Sequence, residues 1–277
     1  MTIKLRSNKN VIASDSTKVN DSLLLQVTRK PDLPLVLRGK KALIIDSSKD
    51  MNLIGFGLVF SLDKNAIQHS NVAYLSEELS YLEEGDVIRV SPSENSVRVI
   101  HRVNANANFL FVTERCNSFC LMCSQPPREV EDGYLIEELI DAIPLIDKSA
   151  HEIGITGGEP TLLGDRFFAL IRTIKSFLPY TGVHILSNGR SFSDINMASS
   201  LAKIKHKDLM LGIPLYSDLS HVHDFVVQAD GAFDETIRGI LNLKRFSQKV
   251  EIRVVIHLQT YERLPDLAEF IGRNLQF

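Results

Sequence analysis

The 277-residue chain has no tryptophan and only three cysteines. Three thiols are too few for the disulfide framework that staples small secreted domains, and a chain of this length buries a sizeable core without one. Long apolar runs are missing as well. The longest, "LIGFGLVF" at 53–60, falls far short of the roughly 20 residues a membrane-spanning helix needs. The N-terminus, "MTIKLRSNKN", lacks the apolar core of a secretory signal. Nor is there an excess of either charge: 31 Lys and Arg stand against 34 Asp and Glu, without a long basic stripe. Little is available to neutralise phosphates, so neither nucleic acid nor a membrane is expected as partner. A cytoplasmic, reducing location follows, where clustered thiols read as metal ligands or redox groups before disulfides. What is present is ordinary for a folded protein, with 44% hydrophobic and 23% charged residues.

Residues 1–32 are polar and weakly patterned, and are expected to form a loose arm or an edge strand. Over 33–104 short β-type runs recur, among them "PLVLRG", "ALIID" and "LIGFGLVF", and "DVIRVSP" and "SVRVIHRV" flank a turn-rich "SPSEN". That pattern predicts a small, mainly β domain with a hairpin, plus a helical turn at 76–86 stopped by Gly85. From 105 to 277 strand-like and helix-like segments alternate. Strands are expected at 109–113, 153–156, 183–186, 209–213 and 250–258, and helices at 134–147, 165–178, 193–204, 233–247 and 261–274. This is an α/β pattern, with parallel strands and helical crossovers in an open sheet or a barrel.

All three cysteines, Cys116, Cys120 and Cys123, fall within "TERCNSFCLMCSQPPR", directly after the strand "NFLFV". Loops at the C-terminal ends of parallel strands are where ligands sit. A closed zinc site wants four ligands and an iron–sulfur cluster usually four cysteines. Either a histidine completes a zinc site, or one iron of a four-iron cluster is left to a ligand that is not protein. The eight histidines lie outside the loop, none at zinc-finger spacing, which favours the open cluster.

The spacing C-x3-C-x2-C resembles the signature of the radical S-adenosylmethionine enzymes. Further segments agree in order: "GITGGEP" at 154–160, "LSNGR" at 186–190, "LGIPLYS" at 211–217 and "HDFVVQADGAFDETIRGI" at 223–240. The resemblance implies a partial (β/α)6-type barrel, with five β/α units visible, preceded by the small β domain. A sixth unit would be cut off or irregular. It also implies a [4Fe–4S] cluster on Cys116, Cys120 and Cys123, whose fourth iron is chelated by S-adenosyl-L-methionine. Reductive cleavage of that molecule would yield a 5′-deoxyadenosyl radical, with an electron donor such as a flavodoxin or ferredoxin.

The cofactor contacts implied are Gly157 and Gly158, whose missing Cβ atoms admit a close ligand; Glu159, as partner of the methionine ammonium; and Pro160 beside it. Ser187 and Asn188 would bond the ribose or carboxylate. Met122 would pack on adenine. Ser217 and Tyr216 are further contacts. Many members carry an arginine where this chain has Val227, and the adjacent Gln228 is expected to take its place. Arg253 and His257 share one face of the expected fifth strand. His221, His223 and Asp224 suit substrate contacts or helix capping.

The longer cysteine string, with "YLEEGDVIRVSP" in the leader, is similar to the radical maturase of the His-Xaa-Ser repeat peptide system. A precursor peptide is then the expected substrate, with the β domain as its recognition platform. The alternatives are the same chemistry on a small metabolite, or a non-catalytic zinc-stabilised or degenerate barrel.

Overall fold

The structure, a computed structural model, describes residues 22–46, 52–63 and 72–275. The described chain divides into two compact units. One holds the described residues up to Asn108 together with Asp141–Ala150, and the other holds Phe109–Ile140 with the residues from His151 onward.

The first unit is built on β1 (Leu23–Thr28), β2 (Lys41–Ile45), β3 (Leu58–Ser61), β4 (Val72–Tyr74), β5 (Val87–Ser91) and β6 (Ser96–His101), with a helical turn, α1 (Leu35–Arg38), and 3-10 turns at Glu77–Leu79, inside the expected 76–86, and Pro92–Glu94. The sheet order is β4-β3-β2-β1-β5-β6. β1 to β4 are parallel, and β5 and β6 run antiparallel. Parallel strands buried on both faces read as unbroken apolar runs. The run "ALII" obeys that rule: Ala42 and Ile44 pack into one core cluster, Leu43 and Ile45 into another. The hairpin expected at "SPSEN" forms, with Asn95 in the left-handed region at φ 48°.

Three expectations are corrected here. The segment 23–28 is neither arm nor edge, because β1 lies between β2 and β5 in the sheet; the rest of the expected arm, 1–21, lies outside the described residues. "PLVLRG" is not a strand. Its Arg38 turns inward, donating to the carbonyls of Leu33, Asn52, Ile54 and Pro31 at 2.7–3.0 Å, and that requires the helical turn. Residues 141–150, placed with the barrel by sequence, group with the β unit.

His101 is 2% exposed, and neither ring nitrogen has a hydrogen-bond partner. Burial drives its pKa down to about 4, partly opposed by Asp147. The unfolded chain therefore binds a proton below about 6.5 that the folded unit refuses until about 4. Stability from this residue is complete above that window and falls by about 3 kcal/mol as pH drops through it. His101→Phe is expected to flatten this part of the pH dependence in thermal melts. An unchanged acid limb would place the loss elsewhere.

The second unit carries β7 (Phe109–Phe111), α2 (Gly133–Ala142), β8 (Glu152–Thr156), α3 (Asp165–Phe177), β9 (Gly182–Leu186), α4 (Ile195–Ile204), β10 (Leu209–Pro214), α5 (Ser220–Val227), α6 (Ala232–Arg245), β11 (Lys249–Arg253) and α7 (Leu264–Asn274). Its five strands are all parallel, in the order β11-β10-β9-β8-β7. Ile153, Ile155, Val183, Ile185, Leu211 and Ile213 fill the strands. Phe167, Ile171, Leu201 and Ile240 bring the apolar faces of α3, α4 and α6 into the core. Each such side chain contributes about 1.5–3 kcal/mol on burial. This is an α/β fold of five successive β/α units, a partial barrel.

β11 stops at Arg253 instead of continuing to residue 258. The strand ends where its partner does, since Pro214 opposite Arg253 closes the β10 register and leaves later residues no ladder to join. His257 consequently lies in the turn that follows, where its carbonyl accepts from Thr260 and Tyr261, and not on a strand face with Arg253.

Candidate functional site

The cysteine loop leaves β7 under tight control. The buried Asp132 carboxylate accepts from Thr113 Oγ1 at 2.8 Å, the Glu114 amide at 2.5 Å and Arg115 Nε at 3.1 Å. From the neighbouring β8 loop, the amides of Gly158 and Glu159 donate to the carbonyls of Thr113 and Arg115, both at 2.8 Å. Further along, the amides of Phe119 and Leu121 donate to Val227 and Val226 at the end of α5, both at 2.9 Å. The loop bearing Cys116, Cys120 and Cys123 is therefore held from three sides.

Gly157 and Gly158 are required for this packing. A Cβ on Gly157 would stand 2.5 Å from the Thr113 carbonyl oxygen, and one on Gly158 would stand 2.1 Å from that of Arg115. The backbone they approach so closely is that of the cysteine loop. Gly189 closes the "SNG" turn in the left-handed region, at φ 79°.

Glu159 joins the β8 loop to the β9 loop. One carboxylate oxygen accepts from the Thr161 amide at 3.0 Å, Thr161 Oγ1 at 2.6 Å and Ser187 Oγ at 2.8 Å, and the other accepts from the Asn188 amide at 2.6 Å. The residue is fully buried; burial pushes its pKa up and these donors oppose the shift. The Asn188 side chain then reaches the cysteine loop, its Nδ2 donating to Asn117 Oδ1 at 2.6 Å and approaching Cys116 Sγ at 3.9 Å.

These loops enclose a cavity of about 240 Å³ whose wall includes all three cysteines with Gly157, Gly158, Ser187 and Asn188. Sequence reasoning placed each of these seven residues at a ligand site, and the structure brings them together. Arg253, Tyr216 and Pro214 also line it. So do Val255, which lies outside every motif, and Gln125 and Leu186, which sit inside quoted segments but are not among the expected contacts. The phenol of Tyr216 is pushed well above its ordinary pKa by burial and then by the nearby thiols. His223 fixes that residue: its Nδ1 accepts from the Tyr216 amide at 3.2 Å, and burial lowers its pKa to about 4.

Other expected contacts stand elsewhere. Glu159 lies behind the wall, its carboxylate consumed by the two loops, and Pro160 is buried as the first residue of a 3-10 turn. Met122 packs with Cys120 against Tyr216, Val226, Val227 and Ala232. Ser217 is buried and accepts from the Leu219 amide at 3.1 Å. Gln228 ends α5 at φ 53°, and its amide is turned back to the Phe225 carbonyl at 2.5 Å. That side chain opens on a different, exposed pocket with His221 and Asp224. Asp224 caps α6, accepting from the amides of Gly231 and Phe233, both at 2.7 Å.

The donor set distinguishes between kinds of metal centre. Burial pushes the Cys116 thiol up to about 11 and raises Cys120 as well. A cationic centre offsets that cost by taking the thiolate directly. A single zinc, at about 2.3 Å from each sulfur, would require sulfurs about 3.8 Å apart. Among the described residues no three His, Cys, Asp or Glu side chains converge in that way, and no histidine lines the cavity. Three thiols lining one cavity suit a multi-iron cluster, in which each sulfur takes its own iron.

A family model agrees with this chemistry. The family model described as the Radical SAM superfamily matches residues 110–271. No curated protein matches the chain. Similar solved structures include native anSMEcpe with bound AdoMet, 18% identical with a TM-score of 0.49 over 59% of this chain and 47% of that one. Streptococcus suis SuiB bound to S-adenosylmethionine is 19% identical, with a TM-score of 0.46 over 60% of this chain and 36% of that one. TYW1 with a lysine-pyruvate adduct is 13% identical, with a TM-score of 0.35 over 58% and 70%. The chain matches less than half the length of the first two. With the family model covering more than half of its residues, the chain belongs to the radical SAM superfamily, whose cofactors are a [4Fe–4S] cluster and S-adenosylmethionine.

Proposed function

We propose that this chain carries a radical S-adenosylmethionine enzyme that modifies a precursor peptide bearing His-Xaa-Ser repeats. The observation that supports the chemistry is the single cavity in which the three thiols meet the loops that follow β8 and β9. Cys116, Cys120 and Cys123 would hold the cluster through their thiolates. When bound and reduced, it would supply the electron for reductive cleavage of S-adenosylmethionine.

The chain's own work is to place the reactants. Gly157 and Gly158 present backbone at the wall, Ser187 and Asn188 border it with side chains tied to Glu159 and Asn117, and Leu186, Pro214 and Val255 give the rest an apolar lining. Glu159 keeps the two loops in register from behind. The electron comes from a donor such as a flavodoxin or ferredoxin.

The peptide assignment is supported by the extended string around the cysteines and by the β unit that precedes the barrel strands. Co-expression of the chain with a His-Xaa-Ser repeat peptide, followed by mass spectrometry, tests it. A mass change in the peptide that disappears with Cys120→Ala is the expected result. An unaltered peptide beside an enzyme that still cleaves S-adenosylmethionine would move the assignment to a small metabolite.

A further inference from the structure

Arg190 ends the "LSNGR" segment, one residue beyond the "SNG" turn. Its guanidinium crosses to the loop between the first two cysteines. There Nη1 donates to the Asn117 carbonyl and to Ser118 Oγ, the latter at 3.1 Å. On its other edge Nε donates to Glu235 Oε2 at 2.6 Å. The Arg190 side chain is only 13% exposed, so water screens its charge poorly, while the Glu235 side chain is 44% exposed.

Helix α6 is built to hold this contact. A Cβ on Gly239 would stand 2.2 Å from the Gly189 carbonyl oxygen, so the helix rests directly on the turn. One turn earlier Thr236 Oγ1 donates to the Asn188 carbonyl at 3.2 Å. Glu235, beside Thr236, is thus fixed in place to aim the guanidinium.

We infer that Arg190, aimed by Glu235, is a positioning residue that fixes the loop between Cys116 and Cys120 and whose charge sets how readily the cluster is reduced. This rests on the reading of the three thiols as cluster ligands. The physical reason is simple. Reduction adds negative charge, and a poorly screened cation nearby stabilises the reduced form, while the Glu235 carboxylate diminishes that effect.

The test is a redox titration, followed by electron paramagnetic resonance, of the reconstituted 277-residue chain, with iron and sulfide content measured alongside. Arg190→Gln is expected to lower the equilibrium constant for one-electron reduction about tenfold, a midpoint about 59 mV more negative. Glu235→Gln is expected to move the midpoint the other way. A role confined to packing predicts no such opposition, so equal midpoints, or shifts of the same sign, overturn the inference. Should the Arg190→Gln protein lose its iron, the direction of the Glu235→Gln shift alone decides. A wild-type chain that takes up no cluster would overturn the underlying reading together with this one.

Discussion

Replacing Cys120 with Ala is expected to leave a folded protein that holds no intact cluster and cleaves no S-adenosylmethionine. The side chain removed is small and half-buried, packed at the edge of the Tyr216, Val226, Val227 and Ala232 cluster, so the cost to stability is about 1 kcal/mol. The chemical cost is far larger. Disturbing only the outer partners of a metal ligand commonly costs about 10–100-fold, and here the ligand itself is lost. No replacement stands by: among the described residues no His, Asp or Glu lines the cavity. Iron and sulfide analysis of the purified variant, with chromatography for 5′-deoxyadenosine, measures both effects. Iron retained at the wild-type level would mean that the thiols are not the ligand set.

Glu159→Ala is expected to fail differently, by loosening the protein. The sequence suggests a carboxylate meeting the methionine ammonium; the structure instead has it accepting four hydrogen bonds from Thr161, Ser187 and Asn188 while fully buried. Truncation would strand those donors without water, at about 1–3 kcal/mol for each one left unsatisfied. After relaxation a loss of about 3–5 kcal/mol is expected, as for breaking a buried charged network. Glu159→Gln keeps the shape but points an NH2 group at one set of donors, so a smaller loss of about 1–3 kcal/mol follows. Chemical denaturation of the three proteins measures this ranking. A Glu159→Ala protein of wild-type stability that merely binds S-adenosylmethionine less well would restore the direct contact.

The parts of the site that were legible in the sequence share a physical cause. Cysteine spacing, paired glycines and an "SNG" turn are local constraints, and alternation of strands with helices places each at a strand end, so their meeting in one cavity followed from topology. What escaped depends on distance in space. Asp132 and Thr113 are 19 residues apart, and Arg190 and Ser118 are 72 apart, yet each pair is hydrogen-bonded. Their polarity alone looks like ordinary surface. Gln228 misled because adjacency to the expected arginine position ignores the left-handed backbone that ends α5 there and turns its side chain away. β1 was hidden by polar flanks, although its "LLLQVT" core is as apolar as its neighbours. The short β11 shows the same limit, since apolar residues after Arg253 keep a strand-like pattern where β10 has already ended.

Whether the three-thiol wall holds a reducible cluster that acts on S-adenosylmethionine decides the function. The most direct measurement is anaerobic reconstitution of the chain with iron and sulfide, followed by dithionite and S-adenosylmethionine, with 5′-deoxyadenosine quantified. A brown protein that forms 5′-deoxyadenosine in a reductant-dependent reaction is the result predicted. A colourless protein that binds one zinc tightly and leaves S-adenosylmethionine intact would contradict it.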